Sequence, residues 1–129
     1  MPTDRKMKEV DELRELLESS TAIVTADHSG VSVTDMTSLR RSLREQGVKF
    51  RVVKNRLAQL AADAAGKPDV MEVVQGPTVI AFGFDDPVVP AKAITAFLGK
   101  ARIGLKIRGG LLGSRALSVG EVEALSALP

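Results

Sequence analysis

Apolar positions along the chain recur at helical spacing in some stretches and alternate with polar ones in others, and the two periods change places from one end to the other. Met7, Val10, Leu13, Leu16 and Leu17 fall on one side of a first helix, which Thr3 or Asp4 caps. Thr21 to Ala26 is a short β-prone run ending in a turn, Asp27-His28-Ser29-Gly30, where Gly30 supplies positive φ. Ser32 and Asp35 have capping-box spacing for a second helix, with Val33, Met36, Leu39 and Leu43 as its buried stripe and Gly47 as the left-handed residue past its end. That register leaves Arg40, Arg41 and Arg44 off the core face. Val48, Phe50 and Val52 then alternate with Lys49 and Arg51, the pattern of a half-exposed strand.

Asn55 opens a third, alanine-rich helix that stops before Gly66-Lys67-Pro68, because alanine loses no side-chain entropy in a helix and proline cannot continue one. A short apolar segment, Val70 to Val74, leads to Gly76-Pro77, and the almost wholly apolar Thr78 to Phe82 reads as a central strand. Asp86 and Pro87 start a helix through Leu98, with Pro90 tolerated in its first turn. Ile103 to Leu112 is strand material that Gly109-Gly110 interrupts as a bulge or a hairpin turn, and Ser118 with Glu121 caps a final helix. Helices and strands in alternation predict an α/β fold: a single layered domain over residues 1–129, with helices packed on a mixed β-sheet. Its 129 residues, 44% of them hydrophobic, suffice for one core without disulfides or metals.

Composition narrows the chemistry. The chain has no cysteine, which excludes thiolate zinc sites and a cysteine nucleophile and fits a reducing compartment, the cytoplasm. The N-terminus enters an amphipathic pattern without an apolar signal core, and no apolar run has the length to span a bilayer, so no membrane partner is expected. The net charge of +2 and pI near 9.2 are mild, so clustering matters more than the total. Between Asp27 and Leu57 the cations Arg40, Arg41, Arg44, Lys49, Arg51, Lys54 and Arg56 gather at element ends and on one helix face. Three arginines on a helix are, by themselves, more often a solvated face. With Lys54 and Arg56 beside them the balance moves to phosphate binding, because guanidinium forks match phosphate oxygens in a geometry that lysine does not copy.

At Lys54-Asn55-Arg56 a helix N-terminus adds unpaired N–H groups and dipole charge to two cations. The plain role for Asn55 is the helix cap, worth about 1 kcal/mol, which leaves its amide NH2 free to donate to a phosphate or base edge. Asp27, His28 and Ser29 name a hydrolytic triad, yet consecutive residues cannot aim three side chains in line at one substrate. His28 is the sole histidine and has no metal-ligand partner at a suitable spacing; a solvated loop position is its plain reading. Ser29-Gly30 suits close backbone approach to ribose or phosphate. Gly109-Gly110-Leu111-Leu112-Gly113 lacks the Lys-Ser/Thr of a phosphate loop, and no carboxylate pair is placed across a pocket, so no catalytic group, cofactor or metal is expected. With 3% aromatics, all Phe, any RNA contact is polar and shape-driven rather than built on stacked bases.

Ala26-Asp27-His28-Ser29-Gly30-Val31-Ser32-Val33, Met36-Thr37-Ser38-Leu39-Arg40, Gly47-Val48 and Arg51-Val52-Val53-Lys54-Asn55-Arg56-Leu57 follow one another at spacings that resemble the bacterial large-subunit ribosomal protein L-ten (L10) family. Gly76-Pro77-Thr78, Ala81-Phe82, Asp86-Pro87 and Leu125-Ser126-Ala127-Leu128-Pro129 continue the resemblance over essentially the whole chain. It implies a structural, non-catalytic protein that binds the GTPase-associated region of large-subunit ribosomal RNA at the stalk base, beside ribosomal protein L-eleven. The RNA contacts it implies fall on Lys6, on Asp27, Ser29 and Gly30, and on Lys54, Asn55 and Arg56, with Arg40 and Arg41 added on charge. His28 stands where many members have Tyr, and Arg56 where Thr is common. The family continues into a long C-terminal helix that holds dimers of the stalk protein L-seven/L-twelve. That helix is missing from these residues, so the expectation is RNA binding without stalk recruitment, the dimers being partners only where the helix is present. The competing expectation is a regulatory or assembly module of the same fold acting on messenger or precursor RNA.

Overall fold

Local signals and helix ends agree closely in the computed structural model, which describes residues 4–74, 76–100 and 104–128. The helices are α1 (Asp4–Ser19), α2 (Val33–Glu45), α3 (Asn55–Ala64), α4 (Val88–Lys100) and α5 (Val119–Ser126), and the strands β1 (Ala22–Gly30), β2 (Lys49–Val53), β3 (Thr78–Gly83), β4 (Gly104–Leu112) and β5 (Arg115–Leu117). Ser32 caps α2 by accepting from the Asp35 N–H, and Gly47 follows its end at a φ of 73°. Asp86 accepts from the Val88 N–H at the start of α4. Ser118 and Glu121 complete a reciprocal capping box on α5. Asp4 lies inside the first turn of α1, and Thr3, its alternative cap, is outside the described residues, as is Ile103 at the expected start of β4. Val70 is the buried residue of a 3-10 segment, Pro68–Glu72.

The strands form one sheet in the order β2-β3-β1-β4-β5. Every pairing is antiparallel, which corrects the mixed sheet read from alternating helices and strands while leaving the α/β domain in place. Strand direction depends on where each connection re-enters the sheet, and periodicity carries no signal for that.

Both faces of the sheet are covered. Val24, Ala26, Val79, Ala81 and Phe50 face a core completed by Leu39 and Leu43 of α2, Ile94 of α4 and Val122 of α5. Ile23, Ile80, Phe82 and Val53 face the other way, against Leu13, Leu16 and Leu17 of α1 and Ala58, Ala61 and Ala62 of α3. Alternation across the pleat thus buries all of β3, which is why it reads as continuously apolar. The apolar stripes are shorter than their spacing indicates. Met7 and Val33, each on the opening turn or two of its helix, are exposed, and so is Val52, since β2 is an edge strand. Between Gly109 and Ile107 the β1–β4 register shifts by one residue and leaves Arg108 as the extra one, so the glycine pair adjoins a bulge and does not make a hairpin turn. The turn comes later, at Gly113 with a φ of 63°.

Candidate nucleic-acid interface

One row of register partners crosses the sheet: Val53 beside Thr78, Thr78 beside Asp27, and Asp27 beside Lys106. Immediately beyond Val53 the chain enters Lys54-Asn55-Arg56, and beyond Asp27 it runs to Ser29 and Gly30. The end of the sheet therefore unites segments that the sequence only placed in succession. α1 joins them. Its Leu16 and Ser19 share a groove with Lys49, whereas Glu9 and Leu13 share one with Val53 and Lys54, so α1 runs antiparallel to β2 and its N-terminus points to the Lys54 end. Lys6, about one turn before Glu9, is exposed there. α2 starts three residues after Gly30 and α3 two residues after Val53, so the positive ends of three helix dipoles converge on this edge.

Lys54 and not Asn55 is the N-cap of α3. Its backbone is extended (φ −93°, ψ 141°), its carbonyl accepts the first helical bond from the Ala58 N–H, and no side chain caps the helix. Asn55 is the first helical residue and is exposed. This corrects its assignment as the cap: the extended backbone ends at Lys54, so the helix begins one residue earlier than that assignment required. The first-turn N–H groups of α3 are left facing outward without a side-chain acceptor. Asn55→Ala is accordingly expected to change unfolding stability by less than about 0.5 kcal/mol, against the ~1 kcal/mol a lost cap costs. Urea denaturation of the variant decides between the two.

The segment Asp27 to Gly30 is strand, not turn. β1 continues through Gly30, whose φ is not positive, and His28 is half-buried on that strand rather than in a loop. The close approach constrains its partner instead: Gly30 pairs with Gly104, where a Cβ would lie 2.9 Å from the Gly30 carbonyl oxygen, whereas a Cβ on Gly30 would meet only an ordinary contact at 3.8 Å. A second irregularity, between Asp27 and Gly30, leaves Ser29 and Gly30 exposed at the sheet end.

Asp27 spends both carboxylate oxygens within the protein. One accepts from the Ser29 N–H at 2.8 Å and the other from the Arg108 guanidinium at 2.9 Å. Hydrogen bonds from Ser29, and then the Arg108 and His28 charges, hold its carboxyl below the ordinary aspartate range. Because the folded-state pKa is the lowered one, this stabilisation is fully present above the ordinary aspartate pKa of about 3.9 and is lost as pH falls through the folded value. Titration of the Asp27 carboxyl by NMR should give a midpoint below that of the unfolded chain, and Arg108→Gln should raise it. An unshifted midpoint would contradict the arrangement.

Arg108 and the exposed Lys106 were not singled out by sequence reasoning, because only strand register brings them beside Asp27. Arg40 is placed elsewhere. Its guanidinium lies over the Phe50 ring, 5.5 Å from the centroid, along the outer edge of β2 and three residues back from Val53. Arg41 is exposed on α2. Among the described residues, Arg5, Arg14, Arg108 and Arg115 each have a carboxylate within 4.0 Å. Arg40, Arg41, Arg44, Lys49, Arg51, Lys54 and Arg56 have none there. No helix is long and apolar enough to cross a membrane, and no group of three or more metal-ligating side chains occurs among the described residues.

A family model described as Ribosomal protein L10 matches residues 1–98. The whole chain is 42% identical to the large ribosomal subunit protein uL10 of Thermomicrobium roseum, covering 72% of that protein. It is 40% identical to the uL10 of Roseiflexus castenholzii, again over its full length and 68% of the relative. Against the uL10 of Clostridium tetani the identity is 38% over 98% of this chain and 74% of the relative.

Proposed function

This chain belongs to the ribosomal protein L10 family, and from that premise we propose that the Lys54 end of its sheet binds the GTPase-associated region of large-subunit ribosomal RNA at the stalk base. Membership makes it a structural, non-enzymatic constituent of the large ribosomal subunit, associated with the subunit's RNA and located with it in the cytoplasm. The observation that carries the finer reading is the convergence of Lys54, Asn55 and Arg56 on an uncapped helix N-terminus, with neither cation engaged by a carboxylate among the described residues. Phosphate oxygens placed there meet backbone donors, two cations and the helix dipole together. Ser29 and Gly30 allow close backbone approach from β1, and Lys6 and Lys106 extend the positive rim. Asp27 serves by positioning, since its oxygens hold Ser29 and Arg108 rather than face a ligand. Ribosomal protein L-eleven is the neighbouring partner in this reading, and stalk L-seven/L-twelve dimers bind outside this domain.

Binding of residues 1–129 to a stalk-base ribosomal RNA fragment, titrated over a salt series with and without L-eleven, tests the proposal. The log–log salt slope is expected on the order of −2 to −5, for about three to six neutralised phosphates. Preference over an unrelated RNA of equal length should survive moderate salt and strengthen with L-eleven. Equal affinity for both RNAs would reduce the surface to a generic basic one and end the stalk-base reading.

A further inference from the structure

The outer edge of β2 separates two surfaces that differ in acidic content. On the α1 side its grooves mix charges, Glu9 and Glu12 with Arg51 and Lys54 in one, and Glu12 and Glu15 with Lys49 and Arg51 in the other. On the α2 side a groove of about 550 Å³ runs between Arg40, Arg44, Lys49 and Arg51, with no acidic residue in its lining. Arg44 follows Arg40 by four residues and so shares its helix face. The Phe50 ring, buried at its base, holds the Arg40 guanidinium at 5.5 Å, which restricts the fork before any ligand arrives. None of the four cations has a carboxylate within 4.0 Å among the described residues. These charges are clustered against mutual repulsion, which a bound polyanion would relieve.

We propose that the groove between α2 and the outer edge of β2 is a second phosphate-binding site, one that takes an RNA backbone segment on the forks of Arg40 and Arg44. The proposal rests on the RNA-binding reading of the Lys54 end and extends it to a separate surface. An RNA strand is favoured over an acidic peptide by continuity. Phe50 and Lys54 are joined by four residues of strand, about 13 Å, so a backbone held at Lys54 continues directly along the groove. On the other side of the same strand the α1 carboxylates stand beside Lys49 and Arg51 and offset them, so the α2 side is the more favourable path for a polyanion across the β2 edge. Both arginines are exposed and neither is a core residue, but Arg40 covers the Phe50 ring, so urea denaturation of the variant accompanies the binding test.

The test compares Arg40→Gln/Arg44→Gln with Lys54→Ala/Arg56→Ala in residues 1–129, using the stalk-base RNA fragment, a salt series and phosphate-ethylation interference. The arginine pair is expected to bind roughly tenfold more weakly, with a salt slope shallower by about 1 to 2. It should lose interference at a set of phosphates distinct from the set lost by the Lys54/Arg56 pair. Parental affinity and an unchanged interference pattern, with the Lys54/Arg56 pair still weakened, would overturn the groove and spare the stalk-base reading. Parental RNA binding combined with loss of affinity for polyglutamate would reassign the groove to an acidic protein and overturn it likewise. A parent chain with no preference for the stalk-base fragment would remove the reading on which both sites depend.

Discussion

Gly110→Ala is expected to destabilise the domain on the order of 3 kcal/mol, lowering the melting temperature by roughly 10 °C. Gly110 lies opposite Val24 in the β1–β4 ladder, at the centre of the sheet. A Cβ there would stand 2.4 Å from the Ile23 carbonyl oxygen and 3.3 Å from a Val122 methyl. The first contact is with backbone, so no rotamer change relieves it. β1 and β4 must part, and α5 must move with them. The adjacent Gly109 is constrained as well, with a φ of 156° and a Cβ position 2.5 Å from the Leu117 carbonyl oxygen. Gly99 is the natural control, since it is exposed near the end of α4 and a Cβ there meets nothing within 4 Å. Gly99→Ala should be neutral or stabilising by up to about 1 kcal/mol, because alanine loses less backbone entropy in a helix. Urea denaturation of both variants tests the packing directly; equal midpoints would mean that the sheet accommodates the methyl group and the close approach is unimportant.

The second large effect is on binding. Lys54→Ala/Arg56→Ala is expected to weaken association with the stalk-base RNA fragment by roughly 10- to 100-fold at moderate salt and to make the salt slope shallower by about 1 to 2. Unfolding should be nearly unchanged, because Lys54 caps α3 through its backbone and Arg56 is exposed in the first turn. Affinity for an unrelated RNA should fall by a similar factor if these two residues act on phosphates alone, since phosphate contacts carry no sequence information directly. Asn55→Ala separates the two kinds of contact: a loss confined to the stalk-base fragment would assign its amide to a base edge, and a uniform loss would assign it to the backbone. Unaltered binding by the double variant would remove the Lys54 end as the interface.

Helix ends were the most legible part of this fold, and the reason is that capping is local. Ser32 with Asp35, Gly47, and Ser118 with Glu121 all act within a few residues of where the pattern changes, and each is found in its expected role. The one cap misplaced, at Asn55, fails because an extended Lys54 has the same local composition as a helical one. The run from Asp27 to Gly30 misleads in a related way: its residues have turn chemistry, but pairing with β4 keeps them in the sheet.

The candidate site shows the same division. The residues Lys54, Asn55, Arg56, Ser29 and Gly30 were legible from charge, helix start and family motif, since each is a property of a short stretch. What joins them was not. Lys6 reaches the site only because α1 runs antiparallel to β2, and Lys106 and Arg108 only through the register of β4 on β1. Arg40, grouped with the others on charge, is carried away along the β2 edge and settled over Phe50.

The sequence by itself determined the five helices, most of the strands, the caps at Ser32 and Ser118, the apolar content of the two cores and the basic character of the segment from Asp27 to Leu57, because periodicity, propensity and charge act over a few residues. The tertiary structure alone decided that the sheet is antiparallel throughout, that β2 lies at its edge with Val52 exposed, and that three helix N-termini meet at one end. Those outcomes come from contacts between segments far apart in the chain, where burial of both sheet faces selects one arrangement from many with the same local pattern.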